Sequence, residues 1–107
     1  MYIGKGKSMT NVEFNYVDLM NPVVQALKAL GGSGTNEEII VKVAEIANIP
    51  SDQLEILHNP KKGGMTEIEY RLVWTRTYLK IYGIIENSTR GVWALTEQGS
   101  TIEKVDE

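Results

Sequence analysis

The sequence contains no cysteine, which excludes both disulfide bridges and metal sites built on thiolates. Its one histidine, His58, has no cysteine or suitably spaced carboxylate to form a metal site with. No apolar run approaches the roughly 20 residues that a helix needs to cross a bilayer. The first residues include lysines but no apolar stretch typical of secretory signals. We therefore expect a cytoplasmic protein with no membrane partner, no metal and no cofactor.

No set of catalytic residues can be recognised either. The glycine-rich stretch 31–34 resembles a phosphate-binding loop, but the Gly-Lys-Ser/Thr that completes such a loop is missing. Nothing in the pattern favours a Ser-His-Asp arrangement. An enzyme is therefore the least favoured class of function.

The charges are unevenly distributed along the chain. The chain has 107 residues, 42% of them hydrophobic, which fits one small domain with a modest core. A net charge of −3 argues against indiscriminate binding to polyanions. However, five acidic residues accompany one lysine between residues 35 and 58, whereas five basic residues accompany two acidic ones between residues 61 and 80. A nucleic-acid partner would be expected at the basic part.

Two helices are predicted in the first half of the chain. Asn21-Pro22 can start the first, because asparagine caps helices and proline suits the first helical position, and Gly31-Gly32 can end it. Thr35 and Glu38 have capping-box spacing, which predicts a second helix over residues 36–48. The glycine-rich connection before it could also hold a short first strand.

A short helix and a long one follow. Pro50 restarts the chain and predicts a short third helix that ends at His58, where an imidazole suits the helix dipole. Thr66 can cap the longest helix, predicted over residues 67–82, and Gly83 can end it. Its apolar residues predict a buried face, namely Ile68, Leu72, Thr75, Leu79 and Tyr82, flanked by Trp74 and Tyr78.

The stretch IIENSTRGVWAL, residues 84–95, predicts a β-hairpin with strands 84–86 and 92–95 and a turn 87–91. Helices followed by a hairpin in this order are typical of a winged helix-turn-helix, in which the long helix enters a DNA groove and the hairpin forms the wing. We therefore predict an α+β, mainly α, winged helix-turn-helix. Its predicted divisions are an N-terminal arm 1–20, the winged-helix domain 21–99 and a polar C-terminal tail 100–107.

Three stretches resemble the N-terminal winged-helix domain of Mrr-type restriction endonucleases. They are PVVQALKALGGSGTNEEIIVKVAEI, SDQLEILH and YRLVWTRTYLKIYGIIENSTRGVWALTEQG, between Pro22 and Gly99. The most distinctive parts are GGSGT, W-x-R-x-Y-L-K-x-x-G and R-G-V-W-x-L-T-x-x-G. The resemblance implies a winged-helix fold and a role in DNA binding or target recognition.

The nuclease part of that family has no counterpart in this sequence. That part carries a P-D…(D/E)-x-K metal-binding core, whereas the residues before Lys104 read Ile-Glu with no spacer between acid and lysine. We therefore expect no nuclease activity in this polypeptide, which would be either a detached module or a piece of something longer.

Candidate DNA contacts lie on the long helix, in the loop before it and in the hairpin turn. Arg76 and Lys80 are one turn apart on the side predicted to face away from the core, although such charges also occur on ordinary solvated faces. The loop lysines could contact phosphate or merely keep the loop soluble. The expected contacts are Lys61, Lys62, Arg76, Thr77, Lys80, Ser88, Thr89 and Arg90.

Other residues near the long helix favour structural interpretations. Trp74 and Trp93 could stack on bases, but their positions favour packing in or at the edge of the core. Arg71 lies nearer the core side and could reach Glu67 or pack its aliphatic stem.

Two functions remain open. The first is a duplex-DNA-binding module, with a homodimer or a fused or associated nuclease as candidate partners. The alternative is a protein-interaction or dimerisation winged helix with no direct DNA binding. The acidic balance and an exposed Val73 in the middle of the supposed DNA face favour the alternative.

Overall fold

The computed structural model describes residues 12–105, and these form five helices and three strands. The elements are α1 (Met20–Ala29), β1 (Ser33–Thr35), α2 (Asn36–Ile46), α3 (Ser51–Leu54), α4 (Glu67–Ile81), β2 (Ile85–Thr89), β3 (Val92–Leu95) and α5 (Glu97–Thr101). The strands form one antiparallel sheet in the order β1-β3-β2. The α+β, mainly helical architecture is confirmed and is compatible with a winged helix.

Thr35 and Thr66 both cap their helices as predicted, and each forms a capping box. The Thr35 hydroxyl accepts the Glu38 N–H at 3.1 Å, while the Glu38 carboxylate accepts the Thr35 N–H at 2.9 Å. Thr66 and Glu69 make the same pair of bonds at 3.2 and 2.8 Å. Since each box satisfies N–H groups that have no partner within the helix, it fixes where α2 and α4 begin. Gly83, at φ +80°, follows the C-cap of α4 as predicted.

The start of α1 differs from the prediction. The N-cap is Leu19, so Asn21 lies inside the first turn and does not cap the helix. Its side chain instead bonds both the N–H and the carbonyl of Val105. The asparagine is used to attach the end of the chain to α1, which a capping pattern does not reveal.

The short helix α3 also ends earlier than predicted. It stops at Leu54, and Leu57 then forms an isolated antiparallel bridge with Thr66. The backbone N–H of His58 bonds the Met65 carbonyl at 3.0 Å. The chain therefore runs extended toward the start of α4, and the expectation that His58 ends a helix is wrong.

The core lies between α1, α2 and α4. Helix α4 contributes most of the face that its periodicity predicts, since Ile68, Leu72, Thr75 and Leu79 are all buried. Tyr82 was expected on the same face but is 53% exposed, because it is the C-cap residue beyond the last turn of α4. The remaining fully buried side chains come mainly from α1 and α2, namely Leu19, Val23, Val24, Leu27, Ile39 and Val43, with Ile85 from β2.

The hairpin has a longer first strand and a tighter turn than predicted, whereas its second strand has the predicted bounds. Strand β2 continues to Thr89, so Ser88 and Thr89 belong to the strand and not to the turn. Ser88 is the extra residue of a bulge between two paired positions. Only Arg90 and Gly91 remain in the turn, where the φ of +76° at the second position favours glycine.

Residues on both sides of the predicted domain 21–99 pack against the core. Val12 and Val105 are 7% and 5% exposed. The Arg71 guanidinium donates to the backbone carbonyls of Val12 and Phe14 at 2.9 and 3.1 Å, which attaches the N-terminal segment to α4. The first part of the predicted arm, residues 1–11, and the end of the predicted tail, residues 106–107, lie outside the described residues.

Replacing Gly99 by alanine is expected to destabilise the fold. A Cβ at this position would lie 2.1 Å from the carbonyl oxygen of Ile84, which is backbone and cannot rotate away. We expect the free energy of unfolding to fall by about 2 kcal/mol, which lowers Tm by roughly 10 °C in a domain of this size. Thermal unfolding followed by circular dichroism measures this, with the exposed neighbour Ser100→Ala as the control. Equal Tm values for the two variants would contradict the close packing of α5.

Candidate nucleic-acid interface

The side chain of Trp93 joins three parts of the fold. It lies on β3, and its indole N–H donates to the side-chain oxygen of Asn36, the first residue of α2, at 3.1 Å. The guanidinium carbon of Arg76 lies 5.7 Å from the centroid of the Trp93 ring, and the ammonium of Lys80 lies 6.0 Å from it. At these distances a cation is attracted to an aromatic face by about 0.5–1 kcal/mol. Two cationic side chains of α4 therefore lie against the sheet.

Lys80 also lies beside the wing. Its ammonium is 3.5 Å from the side-chain oxygen of Asn87 in β2, at the limit of a hydrogen bond. Arg90 follows in the same hairpin as an exposed residue of the turn. The C-terminal half of α4 and the base of the wing thus contribute to one surface.

The helical wheel predicts that Arg76 lies on a solvated face, and this prediction is wrong. Arg76 is only 7% exposed, and the Trp93 ring of β3 lies against its guanidinium. Within residues 12–105 its Nε has no hydrogen-bond partner, and no carboxylate forms an ion pair with it. Burial lowers the pKa of the Arg76 guanidinium below its ordinary value.

A recess of about 410 Å³ opens where Arg76 lies. Its walls come from the start of α2, the loop before α4 and one side of α4. The residues that line it include Asn36, Glu37, Gly64, Met65, Val73 and Arg76. Val73, which is 38% exposed, is thus part of a concave wall and not an isolated apolar residue on a flat face.

The other predicted contacts are exposed. Lys61 and Lys62 follow Asn59 in a tight turn, in which the Asn59 side chain accepts the N–H of Lys61 at 3.1 Å. This loop continues directly into the part of the recess wall formed by Gly64. The Thr77 hydroxyl donates to the Val73 carbonyl at 2.8 Å, so its oxygen remains available as an acceptor. Ser88 and Thr89 are exposed on β2.

Arg71 has a different environment from Arg76, although both belong to α4. Its Nε donates to the Glu67 carboxylate at 2.6 Å, as the sequence indicated. Glu67 is 4% exposed, and its other oxygen lies 2.8 Å from Nδ1 of His58. The His58 ring stacks on Tyr70 with centroids 3.7 Å apart. The charge of Arg71 is therefore used inside the fold, and His58 supports the start of α4.

A second surface lies on another side of α4 and is largely aromatic. Trp74 is 43% exposed, so of its two expected positions, in the core or at the edge of the core, only the edge agrees with the structure. Its ring centroid is 6.3 Å from that of Tyr78, which in turn stacks on Tyr16 at 5.1 Å. Ile81 is 68% exposed and extends the apolar surface. We call Tyr16, Trp74, Tyr78, Ile81 and Tyr82 the aromatic face.

The comparison with protein families identifies this architecture. The sequence model described as the Mrr N-terminal domain matches residues 16–104. The chain belongs to the Mrr N-terminal domain family. The match covers most of the chain, confirms the resemblance seen in the sequence and concerns an N-terminal domain, not a nuclease domain. The searches of curated proteins and of solved structures give no match.

Two residues of this Mrr N-terminal domain that shape the interface were not among the sequence-based candidates. Asn36 holds the Trp93 indole and lines the recess. Its position directly after the capping residue Thr35 was the available signal, because it marks the start of a helix. Trp93 was expected in the core or at its edge, and it is partly buried against the core, beneath two cationic side chains. Among residues 12–105, no helix is long and apolar enough to cross a membrane.

The two arginines predict opposite effects on stability. Arg71→Met leaves Glu67 buried without its strongest partner, so we expect the free energy of unfolding to fall by about 3 kcal/mol. Arg76→Met removes an unpaired buried cation and replaces it with an apolar chain of similar length. We expect it to be neutral or stabilising by up to about 1 kcal/mol. Urea unfolding of the two variants beside the unsubstituted chain measures both effects. An Arg76→Met variant as unstable as Arg71→Met would show that Arg76 has a structural partner.

Proposed function

We propose that this Mrr N-terminal domain is a DNA-recognition module that binds duplex DNA with α4 and the wing. The observation that carries the proposal is the contact of Lys80 with both the Trp93 ring and the Asn87 side chain. It joins the cationic side of α4 to the base of the wing in one surface. In this arrangement α4 occupies a major groove and the wing follows the adjacent backbone.

The predicted contacts divide into two roles. Lys61, Lys62 and Arg90 are exposed cations in loops, which suits them to phosphate contacts that position the protein. Lys80 and Thr77 are exposed on α4, where side chains can reach base edges and contribute specificity. Ser88 and Thr89 add hydroxyl groups that can contact the DNA backbone. Because few cations take part, affinity is modest, and an associated nuclease or a second copy would strengthen binding.

Trp93 supports this surface and does not stack on bases. Its N–H is bonded to Asn36, and the side chains of Arg76 and Lys80 lie over its ring. A base would have to displace these cations to stack there. Trp93 therefore positions the cationic side chains that meet the DNA.

Neutralising Lys80 or Arg90 is expected to weaken binding to duplex DNA. Lys80→Gln and Arg90→Gln each remove one cation, and each should reduce the steepness of log K against log salt concentration by about 0.9 from an initial slope near −4. Fluorescence anisotropy of a labelled duplex in a salt series measures both affinity and slope. The control is Lys104→Gln, which neutralises an exposed lysine near the C-terminus. The proposal fails if the unsubstituted domain does not bind at low salt, or if the control weakens binding as much as the interface variants.

The aromatic face supports a second candidate function, which is association with protein through α4. Trp74, Ile81 and Tyr82 are 43%, 68% and 53% exposed, and clustered apolar side chains of this size are typical of interaction surfaces. A homodimer formed through the aromatic face would leave the cationic surface free to bind DNA. In the alternative without DNA binding, α4 makes contacts with protein only.

Light scattering after size exclusion measures the molar mass of the domain and so tests whether it self-associates. If the aromatic face mediates self-association, Ile81→Glu should convert a dimer into a monomer, because it introduces a charge into an apolar contact. Val41→Glu adds the same charge to an apolar side chain of α2 that is 60% exposed, and it serves as the control for self-association. A monomeric unsubstituted domain, or a dimer that survives Ile81→Glu, would contradict self-association through this face.

A further inference from the structure

We infer that the recess between the start of α2 and α4 binds one phosphodiester group of a nucleic-acid backbone, with Arg76 as its principal ligand. This inference rests on the proposed function and adds to it. It assigns Arg76, which the sequence predicts only as a DNA contact, to a phosphate within a built site. It also brings α2 into the interface.

The first observation is the state of the Arg76 side chain. It is 7% exposed, and within residues 12–105 it forms neither a hydrogen bond through Nε nor an ion pair. A buried guanidinium is normally paired, because an uncompensated buried charge is costly. Its contact with Trp93 holds the group in position but provides no anion. The side chain is therefore positioned and lacks only its acceptor.

The second observation is the helix that begins at the same recess. Helix α2 has 11 residues, and its first two, Asn36 and Glu37, line the cavity. The capping box engages the N–H of Glu38, whereas the two preceding N–H groups have no acceptor within the helix. Free N–H groups and the helix dipole favour an anion at such a point. The start of α2 and Arg76 thus lie on different walls of the recess, and both favour an anion.

The acidic residues of the recess determine which anion fits. Glu37 and Glu69 both line it. Glu69 is held in the capping box by its 2.8 Å bond to the Thr66 N–H, and neither acid pairs with Arg76. A phosphodiester carries a single negative charge, whereas a phosphomonoester carries about −1.5 to −2 at neutral pH. Since the carboxylates repel the second form more strongly, the recess favours the backbone of a nucleic acid over a phosphorylated side chain.

The location and size of the recess agree with this ligand. The recess is about 410 Å³, against roughly 10–15 Å³ of cavity for one water molecule on the same measure, so a phosphate group can enter together with its substituents. Arg76 lies over the same indole as Lys80, which adjoins the wing. A strand whose phosphate binds in the recess would therefore pass beside the surface that the proposed function uses.

The first test uses a small model of the backbone linkage. The ¹⁵N-labelled full chain is titrated with diethyl phosphate at constant ionic strength, against sodium chloride as the reference. We expect saturable shifts of the Asn36 and Glu37 amides, the Arg76 Nε–H and the Trp93 indole, and their loss in Arg76→Gln. Asn36→Asp retains an acceptor for the indole but adds a negative charge, and it should also abolish the shifts.

Two further titrations test which kind of phosphate the recess favours and how Glu37 affects binding. Monoethyl phosphate should bind more weakly than diethyl phosphate, and Glu37→Gln should bind diethyl phosphate more tightly. Equal shifts in chloride, or shifts retained by both Arg76→Gln and Asn36→Asp, would overturn the site. Tighter binding of the monoester would overturn its assignment to a nucleic-acid backbone.

The second test separates this inference from the proposed function. In the duplex titration, Arg76→Gln should weaken binding about tenfold, as expected for the loss of a charged hydrogen bond, and reduce the salt slope by about 0.9. If the unsubstituted chain binds duplex and Arg76→Gln changes neither quantity, the inference fails while the proposed function stands. If the unsubstituted chain binds no duplex, the proposed function fails, and so does the assignment of the recess to a DNA backbone. In that case the diethyl phosphate titration still shows whether the recess binds an anion.

Discussion

The proposed interface depends on the contacts of one indole. Trp93 is paired with Asn87 in the sheet, bonded to Asn36 at the start of α2 and covered by two cations of α4. These contacts fix the distance between the long helix and the wing, which a winged helix needs in order to place both on one duplex. The capping boxes determine where the helices begin, but the indole determines how they meet the hairpin.

The two arginines of α4 differ in whether their charge is paired within the part of the chain that the structure describes. Arg71 is paired with a buried glutamate and with backbone carbonyls of the N-terminal segment, so its charge contributes to the fold. Arg76 is buried as well but has no anion within the described residues 12–105. An unpaired buried cation weakens a fold, and proteins make this trade of stability for function at binding sites.

The sequence predicted those features whose causes are local. Thr35 and Thr66 were identified as caps because a capping box involves residues only three positions apart, and Gly83 because a helix end favours glycine. The burial of Arg76 was missed because it depends on which side of α4 the sheet lies against. The recess was missed for the same reason, since its walls come from segments far apart in the chain. Resemblance to the Mrr N-terminal domain indicated the fold but not these contacts.

The two tryptophans provide the most direct test, because each reports on one surface of α4. The central claim is that DNA binds where α4 meets the wing. In an NMR titration of the ¹⁵N-labelled domain with a short duplex at low salt, the Trp93 indole and the amides of Arg90 and Gly91 should shift, while the Trp74 indole on the aromatic face should not. Shifts confined to Trp74, or no shifts at saturating duplex, would contradict the account.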